Sequence, residues 1–143
     1  MVLTEDDVER MFGMGFDCSQ IVFSEVSDTM GISKEDALRI ASCFGIGMAR
    51  EGVCGAVTGA LMALGLRYGN DEQNDFMTKR RLFDIRDEFV RRFEESNGGS
   101  ICPELLGTKV HTLEDMIAMK PSGVFSKCPG YCVSAVSILE DML

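Results

Sequence analysis

The chain has 143 residues, 45% of them hydrophobic, and a formal charge of −9, which suits one domain able to bury a core without covalent staples. That charge speaks against nucleic acid and anionic membrane surfaces as partners, because both are bound by neutralising phosphates with Lys and Arg. The longest uncharged run, Gly52 to Leu66, is 15 residues, short of the roughly 20 needed to cross a bilayer, so no membrane insertion is expected.

Apolar residues recur at helical spacing and never alternate for long, which predicts an all-α fold. The expected architecture is a single helical domain over residues 1–143, a bundle of about five main helices plus short helical turns. Met1-Val2-Leu3 runs straight into Thr4-Glu5-Asp6-Asp7 with no leader-like segment, and a reducing, cytoplasmic setting is the expectation. Thr4 and Asp7 form a capping-box pattern that opens a first helix carrying Val8, Met11 and Phe12 and ending at Gly13 to Gly15. A second runs from about Asp17 to Met30, with Cys18, Ile21, Val22 and Val26 on its core side and Gly31 as its stop. Ser33 and Asp36 cap a third, which carries Ala37, Leu38, Ile40 and Ala41 up to Cys43.

Phe44-Gly45-Ile46-Gly47-Met48 breaks that pattern and can bring backbone close to whatever it covers. It lacks the lysine of a phosphate-binding loop and follows no strand, which argues against nucleotide binding. The fourth helix, Cys54 to Tyr68, has small residues at Gly55, Ala56, Gly59, Ala60 and Ala63. Such a face admits a close neighbour, either inside the bundle or in a homodimer. A fifth, about Asn74 to Ser96, aligns Phe76, Leu82, Ile85, Phe89 and Phe93 on one stripe, and its arginines pair with acidic residues four positions away on a solvated face. Cys102 to Leu106 reads as one turn closed by Gly107, Thr112 to Met116 as another halted before Pro121, and the last helix begins at Cys128-Pro129.

Of the six cysteines, Cys18, Cys54, Cys102 and Cys128 each fall where a helix starts. Unpaired N–H groups and a partial positive charge there favour the thiolate, the form that attacks disulfides and ligates metal. In a reducing compartment such cysteines are read first as metal ligands or redox thiols. The expectation is therefore that the four converge on one site, as ligands of an iron–sulfur cluster or zinc or as a dithiol that cycles through a disulfide. Cys43 and Cys132 are secondary candidates, and Gly52 and Gly55, flanking Cys54, are read as cofactor contacts. The implied activity is electron transfer or thiol–disulfide exchange with a redox partner the sequence does not specify. Glu51 stands out among the glycines before Cys54, and Met48, Met62 and Met77 are placed to shield a site. The single histidine, His111, reads as a loop residue with no special role. No C-x-x-C occurs. The competing reading is a non-catalytic helical interaction protein whose cysteines are core residues, since free cysteine often fills space.

Asp17-Cys18-Ser19-Gln20, Cys54-Gly55-Ala56-Val57-Thr58-Gly59, Cys102-Pro103-Glu104-Leu105-Leu106-Gly107 and Cys128-Pro129 together resemble the redox-active protein family named for its C_GCAxxG_C_C pattern. The resemblance covers nearly the whole chain, and the family's cysteines carry over to Cys18, Cys54, Cys102 and Cys128. It implies a small helical protein with redox-active cysteines. A further similarity, to the cluster-bearing part of split-Soret cytochromes, implies an iron–sulfur cluster as one occupant. Without C-x-x-C-H no covalent haem is expected.

Overall fold

In the computed structural model the described residues, 2–143, fold into eight α-helices and contain no strand beyond one isolated bridge. They are α1 (Glu5–Gly13), α2 (Cys18–Ser27), α3 (Lys34–Ile40), α4 (Gly55–Tyr68), α5 (Phe76–Asn97), α6 (Cys102–Leu106), α7 (Leu113–Met119) and α8 (Cys128–Met142). The all-α bundle is as expected. The count exceeds five chiefly because α6 and α7, read as short turns, are helices of 5 and 7 residues.

Local chemistry fixes the helix ends. Thr4 and Asp7 exchange both bonds of a capping box, and Asp17 and Gln20 do the same for α2. The second predicted helix ends three residues early as a 3₁₀ turn, Asp28–Met30, closed by Gly31 in the left-handed conformation. Ile21, Val22, Val57, Ala60, Leu64, Phe89, Phe93 and Leu139 are fully buried, so the core lies where α2, α4, α5 and α8 meet.

The tightest pairing is α2 against α4. A Cβ on Gly55 would stand 2.2 Å from Cys18 Sγ, and one on Gly59 would stand 2.6 Å from the Ser19 carbonyl oxygen. The small-residue face of α4 is therefore filled from within the chain by α2, not left for a second subunit. Among the described residues, no helix is long and apolar enough to cross a membrane.

Between α3 and α4 the helical pattern breaks as expected and Gly45 and Gly47 lie close against Asp17 and Cys102, but the turn itself is of a hand the sequence did not predict. Ile46, Gly47, Met48 and Ala49 make one turn with φ of 56, 60, 59 and 51°, and Glu51 follows at 60°. A left-handed turn built from non-glycine residues costs roughly 1–2 kcal/mol per residue. It is held by main-chain bonds from Met48 N to Gly45 O (2.8 Å) and from Gly52 N to Gly47 O (3.0 Å).

Candidate functional site

Each cysteine that opens a helix is positioned by a different local device. Cys18 is the first residue after the Asp17 cap, and its sulfur accepts from the Ile46 N–H at 3.5 Å. Cys54 is itself the N-cap of α4, and Cys102 opens α6. An antiparallel bridge between Val53 and Ile101 ties the segments before these two helices together, with Cys54 N donating to Ser100 O (2.8 Å) and Cys102 N to Gly52 O (2.9 Å). Cys128 opens α8 with Pro129 behind it.

All four face a cavity of about 420 Å³. Phe12, Phe16, Phe125 and Tyr131 supply aromatic wall, and Leu105 and Met116 supply aliphatic wall. Of the other two cysteines, Cys43 is exposed and Cys132 is buried in the core one turn beyond Cys128. Neither lines the cavity.

The expected metal or redox cluster is not formed. Among the described residues, no group of three or more His, Cys, Asp or Glu side chains is arranged to hold a metal ion. The ligand set for an iron–sulfur cluster or zinc is thus lacking, for the four main cysteines and for Cys43 and Cys132 alike. All six cysteines are unpaired, so the disulfide expected of a dithiol is absent too. The thiols stand as separate elements of one apolar wall.

Their ionisation runs opposite to the expectation from helix starts. Burial raises Cys54 to about 12, against a smaller opposing pull from the Ala56 and Val57 amides, which do not reach hydrogen-bond geometry. Burial likewise raises Cys102 to about 11 and Cys128 to about 12, and it pushes Cys18 and Cys132 well up too. A helix N-terminus favours an anion by at most about 2 kcal/mol. The net rise of Cys54 to about 12, with the amide pull already included, corresponds to about 4 kcal/mol against the thiolate. Desolvation wins, and these thiols are neutral at physiological pH.

The glycines beside Cys54 meet protein atoms. A Cβ on Gly52 would lie 2.9 Å from the Gly47 carbonyl oxygen, and one on Gly55 would strike Cys18 Sγ and, at 2.8 Å, the Gly45 Cα. Glu51, at the end of the left-handed turn, directs Oε1 toward Lys109 Nζ at 3.2 Å, with His111 Nε2 at 3.8 Å. That oxygen is buried and meets neither partner in full hydrogen-bond geometry. His111 thus sits beside the ion pair fastening the segment after α6 to the left-handed turn. Met48 and Met77 are largely exposed, and Met62 packs against the core.

Sequence reasoning missed the Val53–Ile101 bridge and the roof over the cavity. The bridge has no local signature, since one pair of residues carries no alternation. The roof is α7 with the turn Lys120–Ser122, neither of which contains a buried residue. Leu113 and Met116 from α7 and Lys120 complete the cavity lining.

No curated protein and no solved structure matches the chain. A family model described as "Putative redox-active protein (C_GCAxxG_C_C)" matches residues 16–142. That match spans all four helix-start cysteines and nearly the whole length, and the chain belongs to the C_GCAxxG_C_C family.

Proposed function

We propose that this chain is a non-catalytic helical binding protein whose cysteines are wall and core residues. The observation that carries the reading is the arrangement of Cys18, Cys54, Cys102 and Cys128 as unpaired side chains of one apolar cavity, with no ligand group among the described residues. Their neutral state supports it, because attack on a disulfide needs a thiolate. The family's description refers to redox activity; in this chain the residues behind that description serve as small, polarisable wall. A reducing compartment suits six free cysteines, and the charge of −9 keeps nucleic acid off the list of partners.

The test is thiol accounting on reduced, metal-free protein. After exposure to oxidised glutathione, mass spectrometry is expected to find Cys18, Cys54, Cys102 and Cys128 still free, with modification confined to the exposed Cys43. Added zinc or ferrous iron is expected to give no stoichiometric uptake. A reversible disulfide between any two of the wall thiols, or one metal ion bound per chain through them, would overturn the proposal.

A further inference from the structure

We infer that the thiol-walled cavity is a binding site for an uncharged, apolar small molecule, covered by α7 and the turn after it. The inference rests on the reading of the cysteines as wall residues and adds the class of ligand. Protein interiors are close-packed and voids beyond the size of a water are few, whereas about 420 Å³ falls within the range of sites for small molecules. The wall is rings, aliphatic side chains and sulfur, and sulfur–aromatic contact favours a flat, apolar guest.

Most polar side chains of the wall are engaged within the protein, which leaves little for a charged ligand to bind. Asp17 Oδ1 accepts from both Gln20 N at 3.1 Å and Ser19 Oγ at 2.8 Å, and the Gln20 side-chain amide donates to Leu38 O at 2.9 Å. Ser42 Oγ donates to Arg39 O at 2.7 Å, and Tyr131 Oη donates to Leu105 O at 3.4 Å. An anionic guest would meet the Asp17 carboxylate and thiols, which are weak donors. Lys120, at the edge of the lining, is exposed to solvent.

Access follows from how the roof is attached. Helix α7 packs most closely on the turn that follows it, and it holds together through its Thr112 cap and the His111 N–H bond to Asp115 Oδ2 (3.1 Å). One side is anchored by buried Val110 and the Lys109–Glu51 pair. The other ends at Gly123, whose φ of 80° gives the backbone a left-handed joint. Lifting α7 as a unit exposes the cavity without breaking the core.

The experiment titrates the reduced full chain with N-phenylnaphthylamine, a neutral probe whose fluorescence rises in apolar surroundings. Saturable one-to-one binding is expected, weakened about tenfold or more by Leu106→Trp on the wall and by Met116→Trp on the roof. Met116→Trp alters a helix without buried residues, so far-ultraviolet circular dichroism should be unchanged. Anilinonaphthalene sulfonate, with similar rings and a fixed negative charge, is expected to bind about tenfold more weakly. Absence of saturable binding, equal binding by the Trp variants, or preference for the sulfonate would each overturn the inference. Thiols are counted in the same samples. Free thiols with no probe binding reject the ligand site alone, while thiols lost to disulfide or metal reject the reading beneath it.

Discussion

At Cys54 two opposing effects act on one sulfur. Its position at the start of α4 is legible in the sequence, and so is the sign of the helix field there. What the sequence does not carry is the wall around it, contributed by residues from α1, α6, α7 and α8, and that surrounding apolar matter decides the ionisation. The left-handed turn is a second residue-scale case, since Ile46, Met48 and Ala49 are residue types that ordinarily avoid positive φ. Ala49→Gly is expected to raise stability by about 1 kcal/mol by relieving strain, read as a shift in the urea midpoint. An unchanged or lower midpoint would mean that the turn is not strained there.

The helices themselves were largely readable, because caps and stops are local: Thr4, Asp17 and Ser33 at starts and Gly31, Gly98 and Gly107 at ends all act where their residue types suggest. The small-residue pattern of α4 was readable as a close contact, though not which neighbour fills it. Within that one helix the glycines now separate into two kinds. Gly59 lies against the Ser19 backbone, whereas a Cβ on Gly65 would meet nothing within 4 Å. Gly59→Ala is expected to destabilise by about 2–3 kcal/mol through forced separation of α2 and α4. Gly65→Ala should stabilise by about 1 kcal/mol through helix propensity. Thermal unfolding of the two variants checks this, and a common sign would refute the placement of α2. The pairing of residues 53 and 101 lay beyond local reading, because it joins segments separated by the whole of α4 and α5.

For the molecule as a whole, the buried thiols link folding to alkali. In the unfolded chain each thiol titrates near its ordinary value of about 8.5. In the fold, burial raises Cys102 to about 11 and Cys54 and Cys128 to about 12, and it raises Cys18 and Cys132 strongly as well. Raised folded values mean that the fold favours the protonated form, so the stabilisation is complete below about pH 8.5. Above it the unfolded chain releases protons that the folded chain keeps, and stability falls as pH rises toward the folded values. Each such thiol removes about 1.4 kcal/mol per pH unit in that window. The combined loss one unit above the threshold is then several kcal/mol, a large part of the roughly 5–15 kcal/mol a domain possesses. Urea unfolding under reductant is expected to show a nearly constant midpoint from pH 7 to about 8 and a steep fall between about 9 and 10.5. Cys128→Ala removes one titrating group at the half-buried end of the wall and should make that fall shallower. A midpoint indifferent to pH up to about 10 would mean that the thiols titrate in the fold as they do in the unfolded chain, and the desolvated wall would have to be abandoned.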